Sequence, residues 1–210
     1  NVYAVATQPD GKVFVGGDFT TMNNTNRARI ARLNGDGKLD LSFAPGSGAN
    51  GIVRAIAVQT NGQVIIAGEF TTVDGVPRSR MARLNSNGTL DAGFNPSLNG
   101  NGLALAIQPD GKILVGGLFS TVSGQIRNSL ARLNADGTVD AGFVIGTGFN
   151  GAVNGVALQT DGKILVGGAF TIVNGINRNF LVRLESSGAA DSSFITGTGP
   201  NAPVNSVAVH

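Results

Sequence analysis

The chain has 210 residues, only 13% of them charged, a net charge of +2 and no cysteine, which excludes disulfides, thiolate metal sites and cysteine nucleophiles. With no tryptophan, one tyrosine and no cluster of Lys or Arg, it also lacks the interleaved basic and aromatic pattern of a nucleic-acid surface. No apolar run approaches the length of a membrane span, no signal peptide is visible, and a start at Asn1 rather than Met reads as a processed or excised chain.

In chain order, the first strong signal is the turn Gln8-Pro-Asp-Gly-Lys12. It returns as Gln59-Thr-Asn-Gly-Gln63, Gln108-Pro-Asp-Gly-Lys112 and Gln159-Thr-Asp-Gly-Lys163, at spacings of 51, 49 and 51 residues. Phe19, Phe70, Phe119 and Phe170 keep that spacing, as do Phe43, Phe94, Phe143 and Phe194. Self-similarity at a fixed period of this size is the signature of a repeat architecture. The repeats run about 2–50, 51–100, 101–150 and 151–203, and residues 204–210 restart the pattern as one extra strand.

Each repeat reads as four strands. Val53–Val58 is apolar on nearly both faces, as suits a strand sandwiched between layers. An Asp-Gly or Asn-Gly turn follows, supplying the positive φ angles of a tight hairpin. The second strand is Lys112–Phe119, with a Gly-Gly pair before the Phe that predicts a bulge or close backbone approach. A short loop such as Val73–Pro77 leads to the third strand, Ser129–Asn134, and the turn Ala135-Asp-Gly137 leads to a short fourth, Thr138–Phe143. No helical period is present. The expected fold class is all-β: a β-propeller of four-stranded antiparallel blades, with the repeated Phe side chains as core between blades.

The run Gln-Pro-Asp-Gly-Lys-Ile-Leu-Val-Gly-Gly-x-Phe, followed by Ala-Arg-Leu-Asn-x-Asp-Gly-x-Val-Asp-x-x-Phe, resembles the bacterial delta-60 repeat family. The resemblance covers essentially the whole chain and is best in Gln108–Phe143; the fourth copy departs from it at Glu185–Asp191. It implies a β-propeller within a large secreted or cell-surface protein, and it supplies no ligand.

Counting outward from the second turn places Arg32 opposite Asp40, Arg83 opposite Asp91, Arg132 opposite Asp140 and Arg183 opposite Asp191. Opposite charges across a strand pair stabilise it, so these residues are expected to be structural. A second series, Arg27, Arg78, Arg127 and Arg178, has two readings: bonds to loop carbonyls or a neighbouring blade, or a ring of guanidinium groups turned to a polyanionic partner. The segment Asn34-x-Asp-Gly-x-x-Asp40 resembles part of a calcium loop but lacks its remaining ligands, so the acids are expected to bond the turn backbone instead.

Catalytic sets are scarce. The one histidine is His210, which rules out any serine–histidine–aspartate set without it, and Asp18 with Glu69 is the single candidate carboxylate pair. No cofactor is expected. The segments between strands two and three vary from copy to copy, so Asn23, Asn24, Asp74, Ser123 and Asn174 mark the expected binding face.

The expected function is a non-catalytic extracellular module, structural, adhesive or protein-binding, on the bacterial surface or beyond it. The alternative is a propeller segment of a larger secreted enzyme, such as a glycan-acting one, whose catalytic residues lie outside these 210. Expected partners are protein, or glycan, at the variable face, with self-assembly through exposed blade faces; nucleic acid and membrane insertion are not expected.

Overall fold

The structure, a computed structural model, describes residues 1–209; the only histidine, His210, lies outside them. Among the described residues every regular element is a strand. The chain forms two compact units, Asn1–Gly102 and the remainder from Leu103.

In the first unit, the opening blade is the antiparallel sheet β1 (Val2–Thr7), β2 (Val13–Gly17) and, after the two-residue ribbon strands β3 (Thr21–Met22) and β4 (Thr25–Asn26), β5 (Ile30–Leu33). The second blade repeats it with β6 (Val53–Val58), β7 (Val64–Gly68), β8 (Thr72–Val73), β9 (Val76–Pro77) and β10 (Met81–Leu84). The strand β11 (Asn101–Ile107) begins with the last two residues of the first unit, Asn101 and Gly102, and continues into the second, which holds β12 (Ile113–Leu118), β13 (Thr121–Val122), β14 (Gln125–Ile126) and β15 (Leu130–Leu133), then β16 (Val153–Leu158), β17 (Ile164–Gly168), β18 (Ile172–Val173), β19 (Ile176–Asn177) and β20 (Leu181–Leu184).

The expected fourth strand is reduced to one bridged residue per blade: Leu39 on Leu33, Leu90 on Leu84, Val139 on Leu133 and Ala190 on Leu184. The cause is the next residue. Asp40, Asp91, Asp140 and Asp191 each accept the backbone N–H two positions on, at 2.8–2.9 Å, and this side-chain turn ends the ladder at once.

The middle strand of each blade is the most buried. Phe14, Ile65, Ile66 and Leu114 are inaccessible to solvent. In the first unit Phe14, Ile30 and Phe43 of one blade share a core with Val53, Phe70 and Leu84 of the next. In the second unit Leu114, Leu130 and Phe143 pack with Val153, Phe170 and Leu184 in the same way. The expected Phe core is thus formed by most copies, while Phe19 and Phe194 stay half-buried.

Blades stack through a small residue on the middle strand. A Cβ on Gly16 would lie 2.7 Å from Val53 Cγ1 and 2.8 Å from Ile56 Cδ1. Gly116 meets Val153 and Val156 in the same way. The second blade inverts the volumes: the small-residue position is Ala67, and its neighbour is Gly102, whose Cβ would lie 2.8 Å from that of Ala67.

Residues 204–209 do not form the ladder strand expected there. They still occupy the stacking position, because a Cβ on Gly167 would meet Val204 and, at 2.8 Å, Val207 Cγ1. Val204 N–H donates to Gly168 O at 3.1 Å, and Asn154 Nδ2 donates to Val204 O at 3.1 Å.

Candidate functional site

The segments expected as variable loops are hairpins. β3–β4, β8–β9, β13–β14 and β18–β19 are paired two-residue strands joined by two-residue turns. Both turn residues have positive φ: Asn23 and Asn24 at 48° and 59°, Asp74 and Gly75 at 48° and 74°, Ser123 and Gly124 at 48° and 77°, Asn174 and Gly175 at 50° and 76°. That geometry favours Asn and Asp, whose short polar side chains tolerate the left-handed region, and Gly, which has no Cβ; Ser123 adopts it as well.

Two of the five residues singled out for recognition also tie the blade to the connector before it. Asp74 Oδ1 accepts Ser47 N–H at 2.9 Å, and Asn174 Oδ1 accepts Thr147 N–H at 3.1 Å. A Cβ on Gly46 or Gly146 would strike those same side chains, and both glycines also have positive φ, so Gly146→Ala is expected to cost about 2 kcal/mol in thermal or chemical denaturation. Asn23, Asn24 and Ser123 lie at exposed ribbon tips.

Sequence reasoning missed a second clasp. Asn50 Oδ1 accepts the N–H groups of Thr71 and Thr72 at 2.8 and 2.9 Å, and Asn150 Oδ1 accepts those of Thr171 and Ile172 at 2.9 Å each. Its only sequence trace is the Asn-Gly pair at 50–51 and 150–151, which reads locally as a turn.

The Arg/Asp pairs close at the expected register. Arg32, Arg83, Arg132 and Arg183 place Nε 2.7–2.8 Å from Oδ2 of Asp40, Asp91, Asp140 and Asp191. A lysine from the first turn joins three of them: Lys12, Lys112 and Lys163 lie 2.8–3.0 Å from the same carboxylates. Each guanidinium lies over a repeat phenylalanine, Arg132 at 4.7 Å from the centre of Phe143 and Arg83 at 4.5 Å from Phe94. Arg32 and Arg132 also reach the next blade, donating from Nη1 to Ser86 O at 2.8 Å and Ser186 O at 2.6 Å. These groups latch blades together.

Burial pushes the Asp140 carboxyl upward, but Lys112, the Gly142 N–H and Arg132 outweigh it and hold the group down at about 2. The same balance lowers Asp40 and Asp91. Because the folded values lie below the unfolded aspartate value of about 3.9, this stabilisation is complete above that pH and is lost as pH falls through the folded value. Melting temperature is therefore expected to be flat from pH 8 to about 5 and to drop steeply between about 4 and 2, with roughly 2–3 kcal/mol lost at Asp140 alone. A denaturation series across that range checks it.

The remaining acids are also committed. Asp36 and Asp136 accept the N–H two residues on at 3.0 and 2.9 Å, and Asp10, Asp110 and Asp161 do the same in the first turns. Among the described residues no group of three His, Cys, Asp or Glu could hold a metal ion. Glu69 pairs with Arg54 at 2.6 Å, and Asp18 accepts from Asn1 Nδ2 at 2.9 Å, so each has its own partner.

The second arginine series differs. Arg27, Arg78, Arg127 and Arg178 each fold back so that Nη1 donates to the preceding residue's carbonyl, at 2.7–3.0 Å. In all four the Nε is buried without an acceptor. Arg127 and Arg178 line grooves of about 180 and 260 Å³ at equivalent places on the third and fourth blades.

Residues 8–43, 59–94, 108–143 and 159–194 match the family described as "Domain of unknown function (DUF5122) beta-propeller", and the chain belongs to that family. No curated protein matches it. Its fold is similar to virginiamycin B lyase from Staphylococcus aureus (14% identity, TM-score 0.56, 90% of this chain and 54% of that one). It is also similar to a gluconolactonase from Xanthomonas campestris (15% identity, TM-score 0.58, 90% and 60%) and to the WD40 beta-propeller domain of Doa1 (18% identity, TM-score 0.50, 87% and 50%). The chain thus spans 50–60% of the length of each of these proteins. At such identities the likeness is one of fold alone.

Proposed function

We propose that this chain is a non-catalytic recognition scaffold that presents its four ribbon tips to an extracellular protein or glycan. The observation that carries this reading is the contrast between frame and tip. The turns, latches and clasps repeat with nearly the same residues, whereas the exposed tips read Asn23-Asn24, Asp74-Gly75, Ser123-Gly124 and Asn174-Gly175. A rigid frame with varied projections is how loops on repeat scaffolds gain specificity. The extracellular or bacterial-surface setting rests on the resemblance to delta-60 repeats carried by the Gln108–Phe143 motifs.

The test gives the first three tips the Asn-Gly pair that the fourth already has, which keeps the turn geometry and the clasp at position 74. This tip-uniform variant should melt like the parent and lose binding on extracellular protein and glycan arrays. Unchanged array binding would refute the reading. The second reading, a segment of a larger secreted enzyme, draws on the fold likeness to the lyase and the gluconolactonase. A substrate screen on the longest natural form of the protein separates the two: turnover dependent on this segment supports the enzyme.

A further inference from the structure

We propose that the two equivalent grooves on the third and fourth blades bind carboxylate side chains of an extended acidic peptide rich in aliphatic residues. The first is lined by Ile126, Arg127, Asn128, Phe143, Val144 and Ile145, and the second by Asn177, Arg178, Asn179, Phe194, Ile195 and Thr196, among others. The two sets correspond position by position, 51 residues apart. Neither lining includes an acid.

The arginines set these grooves apart from the latches. Arg132 and Arg183, five residues further on, are neutralised by Asp140 and Asp191. Among the described residues Arg127 and Arg178 form no ion pair, and each guanidinium donates to the carbonyl of Ile126 or Asn177, at 2.7 and 3.0 Å. Each leaves a buried Nε–H without an acceptor, a donor whose lost hydration nothing in the fold replaces. A turn of the side chain into the groove would offer the Nε and Nη2 edge to a carboxylate, a two-point, charge-assisted contact. The wall beside each arginine is fixed, because Asn128 and Asn179 donate from Nδ2 to Thr147 O and Thr198 O at 2.8 and 2.9 Å.

The rims decide the kind of ligand. Ile126 is 74% exposed, Val144 64% and Ile195 85%. Aliphatic edges around a cation suit alternating acidic and aliphatic side chains. A sugar ring would be expected to stack on an aromatic face, and the two lining phenylalanines are covered or half-buried rather than displayed. Each groove is about the size of one or two side chains, and both lie on the second unit.

This inference rests on reading the chain as an interaction module but uses a different part of it, so the two fail separately. The experiment is fluorescence anisotropy with a capped, labelled twelve-residue peptide alternating glutamate and leucine, beside its glutamine counterpart and a sulfated oligosaccharide. The acidic peptide should bind at least about 10-fold tighter than the glutamine peptide, and Arg127→Gln with Arg178→Gln should weaken it by about 10-fold or more. Val144→Asp with Ile195→Asp, at exposed rims, should block binding without lowering the melting temperature, which keeps the test sound if the arginine variant unfolds. The tip-uniform variant should bind the peptide like the parent. Equal binding of the glutamine peptide, preference for the oligosaccharide, no binding at all, or undiminished binding by the rim variant would each overturn the proposal.

Discussion

Gly102→Val is expected to lower the melting temperature by about 5–10 °C, and adding Ala67→Gly is expected to restore most of the loss. The methyl of Ala67 already occupies the space that a valine at position 102 would need, since even a Cβ there would lie 2.8 Å from it and 3.3 Å from Leu98 Cδ1. Elsewhere the same space is shared the other way, glycine on the middle strand and valine opposite, as at Gly16 with Val53. The single variant overfills the contact by about 2–3 kcal/mol, and the double variant recreates the arrangement found at Gly16. Thermal melts of the parent, both single variants and the double form a cycle whose coupling should be at least about 1 kcal/mol. Simple additivity of the two changes would show that the volumes are not exchanged at this contact.

The second large effect is expected at the latch. Arg32→Ala should cost about 2–4 kcal/mol, because it leaves the buried Asp40 carboxylate with Lys12 as its one remaining cation and takes the partner from a ring stack and from a carbonyl of the next blade. Arg32 is 6% exposed and bonds Asp40, Ser42 and Ser86 O while lying 5.1 Å from the centre of Phe43. Arg32→Lys keeps the charge but loses the fork and the flat face, so an intermediate loss is expected. Arg183→Ala should cost clearly less, since its side chain is 22% exposed and Phe194 beneath it is half-buried. Urea titrations of the three variants give the ranking; a loss at Arg183 equal to that at Arg32 would mean that burial does not set the strength of the latch.

Much of this was legible because the period fixes register. Once Asp36-Gly37 is taken as a turn, counting outward brings Arg32 to Asp40, and the structure closes that pair at 2.8 Å. Alternation and the Asp-Gly turns likewise locate the three ladder strands to within a residue or two. What escaped is where a side chain competes with the ladder or acts at a distance. Nothing in Thr138–Phe143 announces that Asp140 will take the Gly142 N–H and end the strand after Val139. The clasp of Asn50 on Thr71 and Thr72 joins residues 21 and 22 positions apart, and a turn-forming Asn looks the same with or without it. The register set the first arginine series on its acids, but nothing in one dimension announces that Arg27, Arg78, Arg127 and Arg178 fold back onto the preceding carbonyl.

The exchanged volumes at Ala67 and Gly102 have an evolutionary consequence. Tandem copies this alike invite unequal recombination, which deletes, duplicates or shuffles whole segments. A product that follows the Ala67 segment with a valine-bearing one carries a methyl too many, and one that follows a Gly16-type segment with a Gly102-type one carries a void. Repeat order is thereby written into side-chain size, and rearrangements that preserve the match are the ones expected to survive selection for stability.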